Sequence, residues 1–189
     1  MRQNPARRAA LIDAAIEVLA DQGARGLTFR AVDTRAAVPP GTASNYFANR
    51  DDLLTQAGGR VYERLTPDPS AITDLMHGPR DRAMVGRLMH ELVGRITEFR
   101  SGYLALLELR LEATRRPELR AVLTEQIKAD LKANIDFHHE SGMPGDTTTV
   151  VLLYLALNWL IVERLTLPDV FPEDEIADLI TATVERIVP

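Results

Sequence analysis

From Pro40 to Arg50 the chain runs PGTASNYFANR, which places hydroxyls at Thr42 and Ser44, an amide at Asn45, a phenol at Tyr46 and a guanidinium at Arg50. These groups donate and accept hydrogen bonds; no nucleophile stands among them beside a base. A short helix that enters the major groove of DNA needs small or hydrogen-bonding side chains at its N-terminal end for base edges. It also needs aromatic, hydroxyl or basic groups that fix its register on phosphates. Thr42, Ser44 and Asn45 meet the first demand, and Tyr46 and Arg50 follow.

Other chemistries lack their residues. Without cysteine there is no disulfide, thiolate metal site or thiol nucleophile. His138-His139-Glu140 invites a metal, but adjacent histidines on a helix point about 100° apart, whereas zinc helices use i, i+4 spacing. No phosphate-binding glycine loop, nucleophile elbow or acid/base pair is found, so neither an enzyme, a metal nor a cofactor is expected.

Three short helices must position the candidate groups. Leu11, Ala14, Ala15, Val18 and Leu19 recur at helical spacing, predicting a helix over 6–22 that Gly23 ends with a left-handed residue. Thr28 stands as a hydroxyl cap before Phe29, Val32 and Ala36, predicting a second helix over 28–37. Pro39 and Pro40 stop it, and a proline in a first turn costs little, so a third helix is expected over 40–46. Asn49 caps a fourth, with Asp51 and Asp52 at its positive end. Asp33 lies near Arg30 and Arg35, and a local ion pair is expected there. Three helices joined by turns of a few residues match a helix-turn-helix.

Charge is distributed to suit. In residues 1–50 seven arginines stand against Asp13, Glu17, Asp21 and Asp33, leaving +3, whereas residues 51–189 carry fifteen Lys and Arg against twenty-three Asp and Glu, leaving −8. A basic head on an acidic body fits a first segment that meets phosphates despite an overall net charge of −5. A plain helical subdomain with a basic surface is the competing reading. Asp13 and Glu17 interrupt the N-terminal apolar run, so no secretory signal is expected and the cytoplasm is the expected compartment.

The segment T28-F-R-A-V-D-T-R-A-A-V-P-P-G-T-A-S-N-Y-F-A-N-R-D-D-L53 resembles the N-terminal domain of TetR-family repressors, whose pattern runs roughly T-x-R-x-V/I-A-x-x-A-G-V-S-x-G-x-L-Y-x-Y-F-x-x-K-x-x-L. The resemblance spans about 45 residues. It implies that Thr28, Arg30, Tyr46 and Arg50 contact phosphates, that Pro40, Thr42, Ser44 and Asn45 face bases, and that Val32, Phe47 and Leu53 are core. Four departures matter. Pro39 stands where the family has a serine, which removes the hydroxyl cap of the third helix, a loss of about 0.5–2 kcal/mol unless Thr42 compensates. Ala37 replaces a glycine, Asp33 replaces a small packing residue, and Ala43-Ser44 replace Leu-Tyr.

The fold class expected is all-α: a head over 1–50 and a larger helical effector-binding and dimerisation part over 51–189. A break at Thr66-Pro67-Asp68-Pro69-Ser70 precedes a short helix or loop over 70–79, then long helices. Met84, Leu88, Met89, Leu92, Phe99, Tyr103, Leu107, Tyr154 and Trp159, with Arg110 and Asn158 as polar groups, are the pocket candidates. Residues 147–162 carry no charge but fall short of the roughly 20 residues that span a bilayer, so a buried helix is expected and no membrane. The last helix, from Pro172, repeats apolar residues along one face. Val151, Tyr154, Leu155, Ile176, Leu179, Ile180, Thr183 and Ile187 are the expected dimer face, as the resemblance also implies, with internal packing as the alternative. The expected partners are double-stranded DNA with a palindromic operator, a second copy of the chain and a small-molecule effector. Control by a partner protein without a small molecule stays open.

Overall fold

Asn4 opens the first helix: its side-chain oxygen accepts from the amides of Ala6 and Arg7 at 3.0 and 3.3 Å, and Pro5 occupies the first turn, where its missing N–H costs nothing. The computed structural model describes residues 4–189; Arg2, counted with the basic head, lies outside them. The described residues are helical with turns and no strand: α1 (Pro5–Gly26), α2 (Phe29–Arg35), a 3₁₀ turn (Ala43–Asn45), α3 (Arg50–Leu65), α4 (Pro69–Leu75), α5 (Arg82–Glu98), α6 (Arg100–Ala113), α7 (Pro117–Glu140), α8 (Thr147–Thr166) and α9 (Glu173–Ile187). The all-α expectation holds.

Packing groups the chain into two compact units. The first comprises residues up to Thr66 together with Phe99–Gln126. In it α1 packs on α2, α3 and α6, around Leu11, Ala15, Ile16, Val18, Leu19, Leu27, Val32, Leu53 and Leu54, all fully buried. Gly23 breaks α1 with φ 68° and ψ −179°, a conformation that essentially only glycine adopts, so the expected interruption is there although helical turns resume to Gly26. Glu108 of α6 accepts the Ala24 amide at 2.9 Å, and Ser101 of α6 donates to Glu17 at 2.7 Å.

The second unit comprises Pro67–Glu98 and Ile127–Pro189. There α5 packs on α4, α8 and α9, and α8 on α9. Asp146 accepts the Thr149 amide at 2.9 Å while Thr149 Oγ1 accepts the Asp146 amide at 3.2 Å, a reciprocal cap that starts α8. His138, buried near the end of α7, donates through Nε2 to the Pro144 carbonyl at 3.0 Å. Burial pushes its imidazole below the ordinary histidine range; the bond to Pro144 opposes that and neighbouring His139 adds to it.

Where a short helix or loop was expected over 70–79, there is a two-turn helix, α4 (Pro69–Leu75), which Asp68 caps. One expected element differs. The helix expected to be buried over 147–162 runs to Thr166 and is buried on one face, at Val150, Leu153, Leu157, Ile161 and Leu165. Leu152, Leu155 and Trp159 on its other face are 47, 57 and 64% exposed, because the unit has neighbours for one side of α8 alone. Among the described residues, α8 is the one helix long and apolar enough to cross a membrane.

Candidate nucleic-acid interface

Thr28 caps α2 by accepting the Ala31 amide at 3.1 Å, and Asn49 caps α3 by accepting the Asp52 amide at 2.8 Å, both as expected. Between them, residues 40–46 form no α-helix, which corrects the expected third helix. They make turns that tighten into the 3₁₀ segment, because Gly41 adopts φ 86°, outside the helical region. Ala43 and Phe47, four residues apart, are buried in the core of the first unit, which turns Pro40, Ser44 and Asn45 to solvent and leaves Thr42 and Tyr46 half-buried.

The carboxyl group of Asp33 shapes this turn. Asp33 is 2% exposed, and its two oxygens accept the amides of Gly41 and Ala43, each at 2.7 Å. The ion pair expected with Arg30 or Arg35 is therefore corrected: Arg35 pairs with Asp21 of α1. Physically, a carboxylate on the inner side of a helix must find donors there, and the turn supplies two. The signal was in the sequence, since Phe29, Val32, Asp33 and Ala36 share the i, i+3, i+4, i+7 stripe of α2. Thr42 donates to the Pro39 carbonyl at 2.5 Å, Ser44 to the Gly41 carbonyl at 2.8 Å, and Asn45 Nδ2 to the same carbonyl at 3.0 Å. Ala37, where a glycine was the expected residue, holds φ 52°, a left-handed conformation costing about 1–2 kcal/mol in an L-residue.

Thr28 and Arg30 lie exposed and line an open depression with Gln22, Gly26, Ala31, Thr34 and Arg35. Arg50 is placed differently. Its Nε donates to the Leu27 carbonyl at 3.0 Å and its Nη2 to the Ala24 carbonyl, so this half-buried guanidinium closes the end of α1. Arg8, which residue spacing did not assign to this surface, stacks 5.2 Å over the Phe47 ring and donates to Gln56 at 2.9 Å.

The pocket candidates fall in both units. Met84, Leu88 and Met89 cluster in the second unit with Met143, Leu153, Val184 and Val188. Leu92 is half-buried there. Phe99 and Tyr103 belong to the first unit, with Arg64 stacked 3.7 Å over the Phe99 ring; Leu107 is half-buried and Arg110 exposed. Asn158 donates to the Tyr154 carbonyl at 2.7 Å, and Trp159 faces solvent. Of the expected dimer residues, Leu155 is exposed and Val151, Tyr154, Leu179, Thr183 and Ile187 are half-buried, whereas Ile176 and Ile180 are covered by the chain itself.

Similarities to known proteins cover two stretches of the chain. Residues 11–57 match the family described as bacterial regulatory proteins, tetR family, and residues 80–189 match the tetracyclin repressor-like C-terminal domain. Over 78 residues the chain is 35% identical to the HTH-type transcriptional regulator BetI of Rhizobium meliloti (strain 1021), a match covering 41% of this chain and 38% of that regulator's length. Among solved structures, the multidrug binding protein EbrR complexed with imidazole superposes with a TM-score of 0.70 at 30% identity, covering 98% of this chain and 97% of EbrR. EbrR is also solved with ethidium. A TetR-family member from Streptomyces coelicolor A3 superposes with a TM-score of 0.72 at 28% identity, covering 98 and 99% of the two chains. With both ends of its fold matched in this way, the chain belongs to the tetR family of bacterial regulatory proteins.

Proposed function

We propose that this chain is a cytoplasmic transcriptional repressor that binds a palindromic operator as a homodimer and leaves it on binding a small molecule. Residues 1–50 act as the DNA-binding head and 51–189 as the effector-binding and dimerisation part. The observation that carries the reading is the split of the turn: Ala43 and Phe47 anchor it in the core while Pro40, Ser44 and Asn45 stand outside, and Thr28 and Arg30 at the start of α2 are exposed as well. Ser44 and Asn45 read base edges in the major groove; Thr28, Arg30 and Tyr46 hold phosphates.

Two heads must reach successive major grooves about 34–36 Å apart, which requires a second copy. The exposed apolar face of α8, with Leu152, Leu155 and Trp159, is where that copy packs, as an isologous helical bundle. A ligand that prefers the conformation with the wrong spacing draws the population off DNA, by no more than its difference in affinity for the two states. Four of the five methionines, at 76, 84, 89 and 143, lie in or against the core cluster of the second unit, and methionine repacks around ligands of varied shape. EbrR's complexes with imidazole and ethidium support aromatic nitrogen compounds as first trials.

Selection of bound fragments from random DNA tests the reading. A two-fold symmetric sequence is the expected outcome, and Asn45→Ala alters it at defined positions while Arg30→Ala weakens binding to all sequences alike. Recovery of no sequence preference would sink the proposal. Ethidium and imidazole are then screened by thermal shift, where a specific ligand raises the melting temperature and releases the selected DNA.

A further inference from the structure

We infer that Asp33 is the positioning residue of the recognition turn: its buried carboxyl group sets the discrimination between DNA sequences while leaving the attraction to phosphates untouched. The inference rests on the DNA-reading proposal above, and on geometry that stands without it. Asp33 comes from α2, eight and ten residues before the amides it holds, and reaches them from inside the protein.

Pro39 and Pro40 explain why a distant cap is needed. Neither has a side-chain acceptor; the Thr42 amide bonds the Pro39 carbonyl at 3.2 Å, and the Gly41 and Ala43 amides on either side of it go to Asp33. Thr42 does not fill the role, because its hydroxyl donates to the Pro39 carbonyl. Asp33 supplies both acceptors, one oxygen to each amide. Ser44 and Asn45 are each bonded to the Gly41 carbonyl, in the same residue whose amide Asp33 holds. The orientation of both outward side chains is thus referred, through Gly41, to a fixed point in the core. Asp33 itself is buried away from solvent and offers phosphates no contact.

Base contacts carry discrimination and phosphate contacts carry sequence-independent affinity, so the two readouts separate this role from general stability. In Asp33→Asn one side-chain oxygen remains, and either the Gly41 or the Ala43 amide faces an NH₂ group; in Asp33→Ala both acceptors are gone. With the sequence selected by the wild type and a scrambled duplex at one salt concentration, the specific-to-scrambled affinity ratio of Asp33→Ala is expected to fall about tenfold or more. Affinity for scrambled DNA stays within about twofold, and Asp33→Asn lies between. Adding Pro39→Ser to Asp33→Ala restores part of the ratio, because a hydroxyl two residues before Gly41 stands at cap spacing.

Hydrogen exchange provides a readout independent of DNA. The Gly41 and Ala43 amides are expected to be protected in the wild type, and at least one loses protection in Asp33→Asn while the amides of α1 and α3 keep theirs. An unchanged ratio in folded Asp33→Asn and Asp33→Ala, a parallel loss of affinity for both duplexes, or wild-type Gly41 and Ala43 amides exchanging as fast as in Asp33→Asn each overturns the inference. Should Asp33→Ala not fold, the isosteric Asp33→Asn decides. Should the wild type select no sequence, the DNA-reading proposal falls, while amide protection still tests the carboxyl clamp by itself.

Discussion

Arg50 shows how one guanidinium can be claimed by two roles. The family resemblance implies a phosphate contact, yet its nitrogens lie on the carbonyls of Ala24 and Leu27. A hydrogen bond from a charged group contributes about 1.5–3 kcal/mol, so Arg50→Ala is expected to lower stability by about that amount in urea unfolding. Arg50→Lys separates the roles, because it keeps the charge and loses the fork that spans two carbonyls. We expect the Lys variant to keep most of its DNA affinity but little of the lost stability; full recovery of stability by Lys would refute the two-carbonyl role. His138 gives a pH dependence whose sign follows from its lowered value. The unfolded chain takes up the proton first, so stability is complete above the ordinary histidine value of about 6.5 and is lost as pH falls through it. Unfolding midpoints between pH 8 and 5 are expected to decline on the acid side in the wild type, and less so in His138→Gln.

Helix boundaries followed from the sequence where the causes are local. Thr28 and Asn49 cap the helices they precede, and Gly23 breaks α1, because each acts within four residues of itself. Gly23→Ala is accordingly expected to cost about 1–3 kcal/mol, read from the urea midpoint, since alanine is excluded from that backbone conformation and its Cβ would stand 3.3 Å from the Glu108 carboxylate. A loss under a few tenths of a kcal/mol would contradict the backbone assignment. The turn at 40–46 was not legible in the same way. Its shape is set by Asp33 and by the buried Ala43 and Phe47, and periodicity alone cannot distinguish a 3₁₀ segment held from outside from the first turn of an α-helix. The same limit applies to α8, whose composition is apolar on every side; which side the chain covers is decided by α5 and α9.

For the molecule as an assembly, the proposed dimer makes the exposed strip on α8 the surface to alter. Leu155→Glu combined with Trp159→Glu is expected to convert a dimer into a monomer in sedimentation at micromolar concentration, with helical content retained and affinity for the selected palindrome lost. A wild-type chain that sediments as a monomer, or a double variant that remains dimeric, would refute that face. The uneven charge pointed to the head, whereas the candidate pocket side chains fall in both units, and spacing along the chain does not reveal units built from non-consecutive segments. One pairing within the first unit bears on how that unit can move. Glu17 and Ala24 of α1 are tied to Ser101 and Glu108 of α6, seven residues apart on both helices, or two turns. A slide of α6 by a single residue, about 1.5 Å, would strain both ties at once. Because Glu17 precedes the Gly23 break and Ala24 follows it, α6 splints α1 across its own joint, and a push on α6 reaches both sides of the break together.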